Sequence, residues 1–228
     1  MPPHTMPLFK EQSSALATDI NARNRLDGRQ LIDQLADNSI AVAFFDPQYR
    51  GILDKLRYGN EGVQRGQRRV GLPQMDQTDI AAFLLGIYRV LRPSGHLFLW
   101  VDKFHLCEGV GPWFQNMGWL LVDMIVWDKT RIGMGYRTRR RAEYLIVAQK
   151  PPKRARGVWV DHTIPDVWAE HVTQKDHTHA KPLGLQKRLI EATTDKRDYV
   201  LDPAAGSYSV LQACTETERN FIGCDIYT

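Results

Sequence analysis

Ala41-Val42-Ala43-Phe44-Phe45-Asp46-Pro47-Gln48-Tyr49 and Tyr199-Val200-Leu201-Asp202-Pro203-Ala204-Ala205-Gly206-Ser207 follow one pattern. Each is a short apolar run that stops at Asp-Pro. A run of this length bounded by turn residues reads as a buried strand. In open α/β sheets, ligands bind outside the carboxyl ends of the strands. Asp46 and Asp202 are therefore expected to face one crevice.

Working outward, four more apolar runs predict strands at 96–101, 120–127, 144–149 and 220–224; the first is entered through the turn Arg92-Pro93-Ser94-Gly95 and the last stops at Asp225. Helical spacing predicts helices at 30–35, 78–91 and 187–193, the second carrying Ile80, Phe83, Leu84, Ile87, Val90 and Leu91 on one face. Strands alternating with helices predict an α/β fold with a mainly parallel sheet. The runs 120–127 and 144–149 have no strong helix between them and read as an antiparallel pair at the sheet edge. Residues 50–75 are rich in Gly, Arg and Gln without apolar period, and residues 150–179 are polar. Loops this long in a compact domain are usually functional or disordered.

The 228 residues fit one ordinary domain. A formal charge of +4 and a pI near 9.0 lean towards a polyanionic partner. Cys107, Cys214 and Cys224 are scattered, and no Cys or His spacing suggests a metal site. The N-terminus lacks the pattern of a signal peptide, and no apolar run is long enough to span a bilayer. The expectation is a soluble, cytoplasmic, metal-free protein.

The tetrad Asp46-Pro47-Gln48-Tyr49 resembles the Asp-Pro-Pro-Tyr motif of amino-group DNA methyltransferases. Residues 199–209 resemble that family's Asp-Pro-Phe-x-Gly-Ser-Gly-Thr cofactor loop. His179-Ala180-Lys181-Pro182-Leu183 is similar to the His-x-x-Lys-Pro segment that precedes it. Arg219-Asn220-Phe221-Ile222-Gly223-Cys224-Asp225 resembles the strand that ends in the ribose-binding acid. Val126-Trp127-Asp128-Lys129, Gly133-Met134-Gly135 and Arg140-Arg141-Ala142-Glu143-Tyr144 are similar to the family's Trp-x-Lys, Gly-Met-Gly and Glu-Tyr block. The likeness runs from about residue 25 to 226. The catalytic motif precedes the cofactor motif, which is the order of the beta class.

That resemblance implies a Rossmann-like, S-adenosylmethionine-dependent methyltransferase fold with a circularly permuted motif order. It implies a single domain over 1–228: a catalytic half at 25–150, a short target-recognition insert at 151–178 and a cofactor half at 179–228. The implied activity is methyl transfer from S-adenosylmethionine to adenine N6 in duplex DNA. An adenine amine is a poor nucleophile because its lone pair is delocalised into the ring, and acceptors on its hydrogens free that pair. The family implies the Asp46 carboxylate and the Pro47 carbonyl as these acceptors, with Gln48 beside them and Tyr49 stacked on a base that has left the duplex. Asp202, Pro203, Ala204, Gly206 and Ser207 would take the amino-acid end of the cofactor. Asp225 would take its ribose, and Lys181, Pro182 and Leu185 would wall the pocket. Arg137, Arg139, Arg140 and Arg141, with Arg50, Arg57, Arg65, Arg68 and Arg69 in the loop after Tyr49, would neutralise DNA phosphates. A solvated charge run is the plain alternative for these arginines. His177 and His179 read as surface residues, and Trp113, Trp119, Trp159 and Trp168 as core or interface.

The chain departs from the family pattern at Gln48, in place of a second proline, and at Tyr208, in place of the last glycine of Gly-Ser-Gly. A tyrosine there disfavours φ > 0. A family sheet also needs one strand and one helix beyond Asp225. We expect the N-terminus to supply them, with Leu26-Asp27-Gly28 ending the strand and residues 11–22 forming the helix. Asp rather than Ser at position 46 favours adenine over cytosine N4, which stays open, as does RNA. A degenerate DNA-binding module is the alternative outside the enzymes. A dinucleotide-binding oxidoreductase would need a G-x-G-x-x-G after its first strand, and a protein-glutamine methyltransferase would need Asn at 46. The short recognition insert suggests a homodimer.

Overall fold

The structure is a computed structural model that describes residues 7–10, 18–48, 75–114, 116–133, 137–172 and 180–227. Its strands are β1 (Asn24–Arg25), β2 (Ile40–Phe45), β3 (Leu91–Val101), β4 (Leu120–Asp128), β5 (Ala142–Gln149), β6 (Val167–Ala169), β7 (Tyr199–Asp202) and β8 (Asn220–Asp225). Its helices are α1 (Gly28–Gln34), α2 (Gln77–Val90), α3 (Lys103–Glu108), α4 (Gly111–Phe114), α5 (Leu183–Thr193) and α6 (Ser209–Thr217). The strands form one eight-stranded sheet in the order β1-β8-β7-β2-β3-β5-β4-β6. All neighbours are parallel except β3/β5 and β5/β4. The antiparallel pairing falls on the two strands expected to carry it, and the short β6 lies outside them against β4.

Strand alternation divides the core between two faces. On β2, β3 and β5, Ala43, Phe45, Leu97, Leu99, Ile146 and Ala148 meet the apolar stripes of α1 and α2. Val42, Phe44, Phe98, Trp100, Leu145 and Val147 point the other way, onto Leu185 and Leu189 of α5 and Val210 and Ala213 of α6. Helices thus cover both faces, which is why these strands are apolar along their whole length. The expected turn at 92–95 survives inside β3 as an irregularity, with Ser94 at φ +62 and a register shift against β2.

Chain progression reverses between β7 and β2. From β2 the chain crosses by α2 to β3 on one side; from β7 it crosses by α6 to β8 on the other. That reversal opens a crevice at the strands' carboxyl ends.

The N-terminal segment does extend the sheet beyond β8: β1 runs parallel to it, with Asn24 opposite Cys224 and Arg25 opposite Asp225. The helix expected at 11–22 is not seen in its described part, since residues 18–22 form a turn. Asn24 dictates this. Its side-chain amide accepts from Asp19 N–H and donates to Asp19 C=O, both at 2.9 Å, and so folds the backbone back on itself. Residues 11–17 lie outside the described residues. The helix that follows β1 is instead α1, capped by the Asp27 carboxylate on Arg29 N–H at 2.7 Å. Among the described residues, no helix is long and apolar enough to cross a membrane.

Candidate active site

Asp46 follows β2 and Asp202 ends β7, so the two acids flank the crevice at adjacent strand ends. Asp46 is half-buried, Pro47 is buried and Gln48 is exposed. The Gln48 carbonyl accepts from Met75 N–H at 2.8 Å, which joins the two ends of the segment between them. Tyr49, Arg50, Arg57, Arg65, Arg68 and Arg69 lie outside the described residues, as do His177 and His179.

On the other side of the reversal, Asp202 is buried and its carboxylate accepts from Ala204 N–H at 3.3 Å. Burial, and then the charges of Asp46 and Asp225, outweigh that bond and the Lys181 ammonium, and push its carboxyl up to about 8. Gly206 is exposed at φ +48, and a side chain added there would meet nothing within 4 Å. The turn is held on both flanks: Gly206 N–H donates to the Asp225 carboxylate at 3.1 Å, and Ala205 N–H to Cys224 C=O at 3.0 Å. The result is an exposed glycine turn with open space over it, between a buried acid, Asp202, and a half-exposed one, Asp225. A ligand with a cationic amino group and a vicinal diol fits that donor set. A cation beside Asp202 offsets the burial and the like charges that hold its proton on, and a carboxylate at the end of the neighbouring strand can accept from two hydroxyls.

Tyr208 overturns the expectation of φ < 0: it is left-handed, at φ +59 and ψ +31. Its surroundings compensate. The ring is buried edge-on against Phe221, Arg23 lies over it at 5.2 Å, and its hydroxyl donates to Asn24 C=O at 2.8 Å. Gly28 touches the same loop, and a Cβ at that position would lie 2.1 Å from Pro203 O. The N-terminal strand and the start of α1 therefore brace the loop directly.

Lys181 precedes α5. Its ammonium lies 2.8 Å from Asp46 Oδ2 and 2.8 Å from Glu143 Oε2, and 4.9 Å from the centre of the Trp100 ring. Lys129, just after β4, donates to the other oxygen of Glu143. Burial alone would raise the Glu143 carboxyl, but the Lys181 and Lys129 ammoniums overcome it and hold it near 2. Pro182 and Leu185 are buried, and Leu185 packs into the core with no exposed surface. The start of α5 is bound by Glu170, whose carboxylate accepts from the N–H groups of Gly184 and Leu185 at 2.9 and 3.1 Å.

The hairpin β4–β5 projects at the carboxyl end of β3, since Val101 pairs with Tyr144 near the start of β5. Arg137 and Arg139 are exposed on it and Arg140 is half-buried. Arg141 is already engaged: its guanidinium grips both Asp128 oxygens, at 2.6 and 2.8 Å, and closes the hairpin base. Lys103 reaches Thr138 from α3 at 3.4 Å and adds a cation that charge-run reasoning overlooked. Of the tryptophans, Trp113 and Trp119 are buried, Trp159 packs edge-on against His96 and Phe98, and Trp168 donates to Glu170. Among the described residues, no group of three or more His, Cys, Asp or Glu could hold a metal ion.

Comparison with known proteins identifies the family. A model of the N6/N4 class described as DNA methylase matches residues 78–228. The type II methyltransferase M.HhaII of Haemophilus parahaemolyticus is 57% identical over 208 residues, covering 91% of each chain. The chain belongs to the N6/N4 DNA methylase family. Two solved structures share the methylase's fold. One is the putative DNA modification methylase TTHA0409 of Thermus thermophilus complexed with S-adenosyl-L-methionine. It has a TM-score of 0.61 at 18% identity and covers 89% of this chain and 86% of its own. The other is the cytosine-N4-specific PvuII DNA methyltransferase, with a TM-score of 0.65 at 14% identity over 92% of this chain and 83% of its own.

Proposed function

We propose that this methylase transfers a methyl group from S-adenosylmethionine to the N6 amine of adenine in duplex DNA, as the modification partner in a type II restriction system. The observation that carries the reading is the acid at the switch point. Asp46 stands at the carboxyl end of β2, one strand from the exposed Gly206 turn that follows β7, with a cation on one of its oxygens.

Asp202 would bind the ammonium of the methionine moiety, the Gly206–Ser207 turn would let its chain approach the backbone, and Asp225 would accept from the ribose hydroxyls. Pro203 and Ala204 would form the turn's floor, and Pro182 would close the cleft opposite. When bound, S-adenosylmethionine supplies an electrophilic methyl on a sulfonium. The chain's own part is to hold the amine in line with that methyl and to accept its hydrogens on the Asp46 carboxylate and Pro47 carbonyl, so that the nitrogen lone pair is freed. This is positioning and preorganised electrostatics, with no covalent intermediate. The target amine is unreachable inside the stack, so the base is flipped out, with Tyr49 beneath it and Gln48 at its edge. Arg137, Arg139 and Arg140 supply phosphate contacts, as do the arginines of the segment after Tyr49. Aspartate at 46, rather than serine, selects adenine. Glu170 and Asp161 anchor their part of the insert to α5, and the insert is short for a reader of DNA. A homodimer would complete recognition, and light scattering showing monomer with and without DNA would remove that part.

The test is incubation with labelled S-adenosylmethionine and mixed-sequence duplex DNA, followed by digestion and mass identification of the nucleosides. N6-methyladenine that is lost in Asp46→Ala is expected. N4-methylcytosine would overturn the base assignment, and no S-adenosylmethionine binding would overturn the activity.

A further inference from the structure

Asp46, Glu143, Lys129 and Lys181 form one cluster drawn from four places: the end of β2, the start of β5, the end of β4 and the approach to α5. Two carboxylates and two ammoniums make it neutral. Lys181 is central, with its side chain largely withdrawn from solvent between the two acids and the face of Trp100. A buried ammonium is costly unless its partners surround it, so the cluster specifies where Lys181 sits rather than merely tolerating it.

We propose that Lys181 is a positioning residue for methyl transfer: clamped from behind by Glu143, itself held by Lys129, it fixes the Asp46 carboxylate in place and keeps it an acceptor. The inference rests on the reading of Asp46 as acceptor for the amine hydrogens. A protonated Asp46 would turn one oxygen into an O–H donor and leave only a weaker, neutral acceptor on the other, which impairs that function. The groups acting on Asp46 pull in opposite directions. Asp202, at the adjacent strand end, opposes a charge on Asp46 whenever it is itself ionised, and burial holds it largely protonated below about 8. Lys181, 2.8 Å away, favours it. A lysine has a long flexible stem, so without Glu143 its charge would not be held at one oxygen of Asp46. Glu143 therefore sets the geometry and Lys181 the charge.

The experiment is the pH dependence of kcat for the full chain, with labelled S-adenosylmethionine and mixed-sequence duplex DNA, for Lys181→Met, Lys181→Arg, Glu143→Gln and Asp46→Ala. Calorimetry gives S-adenosylmethionine affinity, and melting reports folding. Lys181→Met is expected to lower kcat near neutral pH by roughly 10²-fold. It should also move the acid limb of the profile up by about one unit or more, with little change in S-adenosylmethionine affinity. Lys181→Arg is expected to restore both the limb and most of kcat. Glu143→Gln is expected to lower kcat, because Lys181 is held less firmly against Asp46, without raising the limb, because an ammonium remains beside Asp46 and a neighbouring negative charge is gone. If Lys181→Met does not fold, Lys181→Arg and Glu143→Gln carry the same comparison, and a raised limb in Glu143→Gln overturns the proposal. An unmoved limb in a folded Lys181→Met also overturns it, as does weaker cofactor binding at unchanged kcat, which would make Lys181 a wall of the cofactor cleft. Asp46→Ala separates the two readings. Activity surviving in that variant removes Asp46 itself, whereas its loss beside an unmoved Lys181→Met profile removes only the role of Lys181.

Discussion

Replacing Tyr208 with glycine restores the residue that the family pattern leads one to expect, and the structure predicts that the protein will be weaker for it. Two effects oppose each other. A non-glycine residue in the left-handed region costs roughly 1–2 kcal/mol, which glycine would recover. Against this, the ring is buried on Phe221 and its hydroxyl bonds the Asn24 carbonyl at 2.8 Å. Deleting a buried aromatic side chain costs about 3–5 kcal/mol, and a newly unpaired buried carbonyl adds about 1–3 kcal/mol. Tyr208→Gly should therefore lose about 2–4 kcal/mol net, allowing for partial relaxation of the loop. At about 2–4 °C per kcal/mol for a chain of this size, the melting temperature falls by roughly 5–15 °C. Tyr208→Phe isolates the hydroxyl and should cost about 1–2 kcal/mol. Urea unfolding with and without S-adenosylmethionine is the assay. At ~100 times Kd a ligand adds about 2.7 kcal/mol to the native state, and both variants should gain less, because the tether from Asn24 shapes the turn at Gly206. A Tyr208→Gly protein as stable as the parent would refute the compensation argued for this residue.

Asp202→Asn should stabilise the ligand-free protein. Because the folded carboxyl sits at about 8 against an ordinary value of 3.8, it opposes folding increasingly as the pH rises between those values. The variant's gain in melting temperature should therefore be small at pH 4 and largest at pH 8, and a gain that shrinks with rising pH would contradict it. Gly28→Ala places a Cβ 2.1 Å from Pro203 O. It should cost about 1–3 kcal/mol and weaken S-adenosylmethionine binding, measured by calorimetry. Arg137→Ala with Arg139→Ala should reduce DNA affinity evenly across sequences and flatten the log Kd against log salt slope by about two. Arg141→Ala should instead lower the melting temperature, through loss of the Asp128 clamp.

Much of the sheet was legible because the central strands are apolar on both faces and end on Asp-Pro or Asp. Periodicity needs only a handful of residues to register that. What escaped was short or atypical. β1 and β6 have two and three residues, below any repeat. α6 reads Ser-Val-Leu-Gln-Ala-Cys-Thr-Glu-Thr, where Val and the two Thr weaken helix propensity and burial against α5 and Phe221 supplies the order. The acids of the crevice could be read from their strand ends. The partnership of Lys181 with Asp46 and Glu143 could not, because no local spacing relates residues that only the sheet order brings together. Tyr208 misled because propensity weighs the backbone alone, while its φ is set by contacts to Asn24 and Phe221.

The sheet's outermost pairing also dictates a sequence of events during synthesis. The Asn24 side chain bonds Gly223 C=O across a separation of 199 residues, so β1 has no partner until the ribosome has made nearly everything between. At about 5–20 residues per second, that wait is roughly 10–40 s. For that interval the strand that will brace the loop after β7 has no β8 to pair with. A nascent chain halted before β8 would carry the Asp46 strand and most of the core yet lack the Asp225 side of the crevice, so on the proposed reading the capacity to bind the methyl donor arrives late and in one step.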